Sequence, residues 1–178
     1  MANKINQKFV DIVRSTGGNN AYRHLLIAGY DTNIDKTCDD RFKMPTDTTE
    51  NGTTKLSISV HYYTPWDFCG DGGSGIYTQK DKEATETYFT KMDKFYNAGY
   101  GIIMGEFSVC NPKQEGVAQW LNDTMTIAAK HHILPVLWET NQYMDKDNCR
   151  MRYNDIAVLY NTSSLSPNRY SKMYSSSN

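Results

Sequence analysis

No stretch of this 178-residue chain approaches the roughly 18 consecutive apolar residues that a membrane-spanning helix needs. Positive charge is not in excess. Nineteen Lys and Arg against 20 Asp and Glu leave a formal net charge of −1. That balance argues against nucleic acid or an anionic membrane as a partner, since both select a basic surface. No two of the four cysteines form a C-x-x-C pair, so no zinc site is expected, and no metal or cofactor is called for. No G-x-G-x-x-G turn follows the first predicted strand, which weakens a dinucleotide-binding reading. Met1 to Gln7 carry no hydrophobic signal core, so either a signal has been removed or export is not encoded here.

What is present suits a single soluble domain over residues 1–178, with 39% hydrophobic and 22% charged residues. Thirteen tyrosines and three tryptophans are many for this length. Aromatic faces combined with hydroxyls match sugar rings, although the same residues also fill cores. The cysteines stand at 38, 69, 110 and 149, each a short way past a predicted strand. Loops at one end of the fold would then carry all four. Cys38 with Cys69, and Cys110 with Cys149, would join neighbouring loops and hint at an oxidising compartment. The other connectivities, and four free thiols, stay open.

Helix and strand signals alternate throughout, which makes the fold class α/β. Ile5, Phe9, Ile12 and Val13 sit at helical spacing and Gly17-Gly18 stops that helix. Apolar runs at about 24–30, 56–63, 101–106 and 133–138 read as four strands. Between the first two, the polar segment Asp31 to Lys55 reads as a surface excursion or a loop with a short helix. A stripe of Tyr88, Phe89, Met92, Phe95 and Tyr96 predicts a helix over 82–97. Asn111-Pro112 reads as a helix start ahead of Val117, Trp120, Leu121 and Ala128. A weaker helix is expected from about Met151 to Tyr160, and a frayed Ser-rich end after Ser171. Strands alternating with helices imply parallel pairing, in an open doubly wound sheet or in part of a (β/α)8 barrel. Both architectures place their ligand site at the C-terminal ends of the strands.

Those ends are where polar and aromatic residues gather. The second strand delivers His61, Tyr62 and Tyr63, followed by Trp66; the third delivers Glu106; the fourth delivers Trp138, Glu139 and Asn141. Alternation puts His61 and Tyr63 on one face and leaves Tyr62 for packing. A carboxylate ending an apolar strand is costly unless paired or functional. With His, Tyr and Trp converging from adjacent strands, the arrangement reads as catalytic.

These segments carry a specific resemblance. VHYYTPW (Val60 to Trp66), IIMGEF (Ile102 to Phe107) and VLWETN (Val136 to Asn141) resemble the sixth, seventh and eighth strands of glycoside hydrolase family 5 endoglucanases. RHLLIAGYDTNID (Arg23 to Asp35) resembles the fifth strand and its loop. The resemblance implies a (β/α)8 barrel that hydrolyses β-1,4-glucans with retention, secreted from the cell. By motif, Glu106 matches the nucleophile. His61 and Tyr63 match the pair lining the site, with Tyr63 placed to hold Glu106 ionised and aimed. Trp138 matches a sugar-stacking platform, and Trp66 and Asn141 are expected further contacts to a β-glucan or cello-oligosaccharide.

One motif of that family does not occur. A retaining glycosidase needs a second carboxylate roughly 5 to 5.5 Å from the first, and in this family it ends an Asn-Glu pair on the fourth strand. No Asn-Glu pair exists in this sequence. A full barrel takes about 250 residues, so the expectation is a half-barrel that pairs with a second copy as a homodimer. A fragment of a full-length enzyme, or a sugar binder without turnover, are the alternatives. Glu139, Asp67 and Asp71 are substitute acids in principle.

Overall fold

The computed structural model describes residues 1–162, so the Ser-rich end expected to fray lies outside the described residues. In chain order the elements are α1 (Ala2–Ser15), β1 (Leu25–Ala28), α2 (Ile34–Cys38), β2 (Leu56–Tyr62), α3 (Trp66–Cys69), α4 (Gln79–Thr90), α5 (Asp93–Asn97), β3 (Gly101–Phe107), α6 (Val117–Lys130) and β4 (Ile133–Leu137). A two-residue pair, β5 (Met144–Asp145) and β6 (Arg150–Met151), precedes α7 (Asn154–Thr162).

The helix expected from about Met151 begins at Asn154, after Met151 has paired in β6, and three further boundaries differ from the sequence reading for a local reason. β1 ends early because Gly29 lies against Thr37, where an added Cβ would sit 2.1 Å from the Thr37 hydroxyl oxygen. The chain therefore turns at once through the single helical turn Tyr30–Thr32 and into α2. The helix predicted over 82–97 starts earlier, at Gln79, because the Asp81 carboxylate reaches back to the Thr78 amide at 2.9 Å. It then breaks at Lys91 and Met92 into α4 and α5. Asn111-Pro112 closes a turn rather than opening a helix. The Asn111 side chain accepts from Lys113 N (3.2 Å), and α6 begins only after Gly116, at φ 88.

The four long strands form one parallel sheet in the order β1-β2-β3-β4. The strand order never reverses, so the switch point that defines a doubly wound sheet is missing and the barrel-type alternative holds. One face is buried beneath the helices. Ile58, Val60, Tyr62, Ile102, Met104, Phe107 and Ile133 pack there with Phe89, Trp120 and Leu121. Tyr62 is core, as expected: its ring stacks on Trp120 at 6.2 Å, and its hydroxyl meets that of Thr85 at 2.8 Å.

The opposite face has no cover among the described residues. Leu26, Leu134 and Val136 are 46%, 55% and 46% exposed on it. On α1, Ile5, Phe9 and Ile12 form a second exposed apolar stripe at helical spacing. β1 and β4 are the edge strands, and Pro135, which cannot donate to a ladder, lies in β4.

An irregularity in β3 positions the site. Val60 pairs with Met104 but His61 pairs with Glu106, so β3 carries one residue more than β2 at Gly105. β4 registers the same surplus, since Met104 pairs with Pro135 and Phe107 with Leu137. Strict alternation would put Glu106 on the helix-covered face with Met104. The bulge instead brings it beside His61 on the open face.

Candidate active site

His61 and Tyr63 come from the end of β2 and the residue after it, and Glu106 from the penultimate position of β3. The Tyr63 hydroxyl donates to Oε2 of Glu106 at 3.0 Å. Nδ1 of His61 lies 3.3 Å from the same oxygen. Both contacts fall on Oε2, and Oε1 takes no hydrogen bond among the described residues. The side chains of His61 and Glu106 remain 31% and 27% exposed, so the group opens to solvent from the uncovered face. Burial, and the Glu106 carboxylate to which it donates, hold the Tyr63 phenol well above its ordinary pKa. Tyr63 is therefore a donor across the neutral range.

Aromatic surface extends the group on either side. Trp66 opens α3 and is 67% exposed, with its ring edge-on to Tyr63 at 6.4 Å between centroids. It is held from below by Gly70, where an added Cβ would come within 2.6 Å of the indole. Trp138, 44% exposed, follows β4, and its backbone N–H extends the pairing to Phe107 O at 3.0 Å. Alternation sets Trp138 on the same face as Leu134 and Val136.

Asn141 is not drawn into this group. It sits in a turn at φ 74, its Oδ1 accepting from Arg152 Nη2 (3.0 Å) and its carbonyl from Arg152 Nε (3.1 Å). Glu139 also serves the loop: its Oε2 accepts the amides of Tyr143 (2.7 Å) and Met144 (2.8 Å). Its Oε1 is buried without a partner among the described residues. Asp67 and Asp71 are exposed. Among the described residues Glu106 is in contact with a phenol and an imidazole, and with no second carboxylate.

The sequence reading missed Tyr143. This fully buried residue donates to Val109 O at 2.6 Å and accepts from Val109 N at 3.2 Å. It ties the loop after β4 to the loop that follows Glu106. Burial raises its phenol to about 12. No periodic signal marks a tyrosine in a polar loop, and only the hydrogen bonds reveal its place.

Neither expected cysteine pairing is realised; all four cysteines are free thiols. Cys38 lies against Lys91 O and the Met92 sulfur, at the junction of α4 and α5, and Cys149 is exposed near β6. The Cys69 carbonyl instead accepts the Cys110 amide. A cleft of about 440 Å³ elsewhere, beside Tyr30, Lys36, Arg41 and Phe42, includes none of the site residues.

The chain is similar in sequence and fold to known proteins. The family description "Cellulase (glycosyl hydrolase family 5)" matches residues 1–144. Endoglucanase A of Paenibacillus barcinonensis is 36% identical, the match covering 77% of this chain and 41% of that protein. Endoglucanase B of Neocallimastix patriciarum is 31% identical, covering 79% and 29%. Among solved structures, a GH5-4 broad specificity endoglucanase from an uncultured bovine rumen ciliate superposes with a TM-score of 0.78 at 30% identity, covering 89% of this chain and 52% of that one. A glycoside hydrolase 5 lichenase from Caldicellulosiruptor sp. F32, in complex with cellotetraose, does so at 0.77 and 26%, covering 89% and 47%. The chain thus spans less than half the length of these curated relatives and about half of each of these solved chains.

Proposed function

This chain belongs to glycosyl hydrolase family 5, the cellulase family, as a four-stranded half of its (β/α)8 barrel, and on that premise we propose that it is an endo-β-1,4-glucanase-type hydrolase with Glu106 as its nucleophile. The observation that carries the reading is the convergence of Tyr63 and His61 on Oε2 of Glu106. Two contacts on one oxygen orient the carboxylate and leave Oε1 as the attacking atom. Oε1 adds to the anomeric carbon and a glycosyl-enzyme forms, which water then hydrolyses with net retention. Trp66, Trp138 and Tyr63 supply faces for the apolar C–H surfaces of glucose units, and Asn141, held outside that group by Arg152, offers a more distant sugar an amide nitrogen that donates to nothing among the described residues. The substrate is a β-1,4-linked glucan or cello-oligosaccharide. Such a polymer is met outside the cell, so the site of action is extracellular.

Departure of the leaving sugar needs a proton from a second carboxylate, and no other carboxylate touches Glu106 among the described residues. We assign that acid to a complementary half-barrel; a second copy has no Asn-Glu pair either, so in a homodimer the carboxylate facing Glu106 is the other copy's Glu106, on the opposite wall of the shared cavity. Two copies related by a two-fold axis would join β1 of each to β4 of the other, covering Leu26, Leu134 and Val136. The alternative is a cello-oligosaccharide-binding half-barrel that does not turn over. Specific activity on a soluble β-1,4-glucan across a wide protein concentration range, beside Glu106→Gln, separates the two. Activity per mole that rises with concentration and vanishes in Glu106→Gln supports the enzyme. Binding of cellotetraose without product, unchanged in Glu106→Gln, supports the binder. Loss of general acid help costs about 10²- to 10⁴-fold, so the unassembled chain is expected to be slow.

A further inference from the structure

We propose that Cys69 and Cys110 are a redox site, a thiol pair that closes to a reversible disulfide stapling the loop after β2 to the loop after β3 beside the candidate site. The backbone already joins them, with Cys110 N donating to Cys69 O at 2.9 Å. A bond of that length keeps the two Cα atoms within about 6.8 Å of each other, the upper end of the range that disulfides span. Cys69 ends α3 with no exposed surface, whereas Cys110 is partly exposed. Both thiols lie close enough to the Tyr63 phenol to act on it electrostatically, in the neighbourhood of the donor of Glu106. The two other cysteines are differently placed, Cys38 against Met92 and Cys149 in solvent near β6.

The difference in exposure sets the order of events. The Cys110 thiolate attacks one sulfur of a small-molecule disulfide such as oxidised glutathione, breaking its S–S bond and releasing one glutathione. The Cys69 thiolate then attacks Sγ of Cys110 and expels the second glutathione. Two cysteine protons pass through solvent to the two departing thiolates, and the two electrons reduce the oxidant. Burial raises both thiols, so closure quickens as pH rises above neutrality. The staple stands whether or not the chain cleaves glucan, because it needs only the folded loops.

Folded protein equilibrated in glutathione buffers from reducing to oxidising, then acid-quenched and alkylated, tests it by intact mass and peptide mapping. The expected result is a mass lower by about 2 Da before alkylation, loss of two alkylatable thiols, and a mapped Cys69–Cys110 peptide. Reductant should restore all four thiols. Closing a loop of about 40 residues should also raise Tm by several degrees. Cys110→Ser, at the more exposed position, should abolish the bridge and the Tm shift, while the double variant Cys38→Ser/Cys149→Ser keeps both. Four alkylatable thiols in the most oxidising buffer would overturn the proposal. So would a persistent glutathione adduct on Cys110, or a mapped bridge that uses Cys38 or Cys149.

Discussion

The Tyr63 hydroxyl and Oε2 of Glu106 stand 3.0 Å apart across two neighbouring parallel strands, 43 residues apart in the chain. Neither side chain could hold that distance alone. It depends on β2 and β3 being paired in a register that sets His61 opposite Glu106.

Removing the phenol hydroxyl therefore isolates its contribution. Tyr63→Phe keeps the ring against Trp66 and deletes a bond to a carboxylate, worth about 1.5–3 kcal/mol. Under the proposed glucanase reading, kcat/KM on a soluble β-1,4-glucan should fall by about 10- to 100-fold, with circular dichroism unchanged. Wild-type kinetics in this variant would mean that Glu106 needs no donor from Tyr63.

Two tryptophans should respond in opposite ways. Trp120 is fully buried, stacks on Tyr62 and donates to Thr64 O at 3.0 Å, so Trp120→Ala should cost about 3–5 kcal/mol in urea unfolding. Trp66 is 67% exposed, and Trp66→Ala should shift stability by about 0.5 kcal/mol or less while weakening cellotetraose binding in a calorimetric titration. A large stability loss at Trp66 would recast it as a packing residue.

Tyr143→Phe strips Val109 of both a buried donor and a buried acceptor partner. The expected loss is about 1–3 kcal/mol, read as a lower urea midpoint with unchanged m. Since Tyr143 holds the loop following Glu106, amide exchange should quicken at Ser108 to Cys110 before it does so in the helices.

Acid should expose the Arg14–Asp47 pair, whose charged groups meet at 2.9 Å and are buried. Burial pushes the Asp47 carboxyl up, but the two Thr49 hydrogen bonds and the Arg14 guanidinium outweigh it and hold it below its ordinary value. A depressed folded pKa gives stability that is present above the unfolded value, about 3.9, and lost as pH falls through the folded value. Tm measured from pH 7 to 2 should therefore drop more steeply below about pH 4 in wild type than in Asp47→Asn. Parallel curves would remove Asp47 from the acid response.

Much of this was legible in the sequence because it rests on local rules. Apolar runs such as Leu56 to Tyr62 and Gly101 to Phe107 announce buried strands, and Tyr88, Phe89 and Phe95 announce a helix face. His61, Tyr63 and Glu106 could be named because carboxylates and imidazoles rarely end apolar strands without a use. Cysteine pairing was not legible. Cys38 follows β1 in sequence, yet α2 carries it to the α4–α5 junction, and it is Cys110, 41 positions from Cys69, that arrives beside it.

By itself the sequence determined the alternation of strands and helices, the parallel sheet that alternation forces, and the residue types waiting at the strand ends. Only the tertiary structure decided that Glu106 faces the site. Counted by twos from Ile102 and Met104, Glu106 belongs with the core beneath the helices. The extra residue at Gly105 shifts the register against both β2 and β4, and a shift of one residue moves a side chain to the other face of the sheet. That surplus is a property of three strands paired together, and no single strand's pattern contains it.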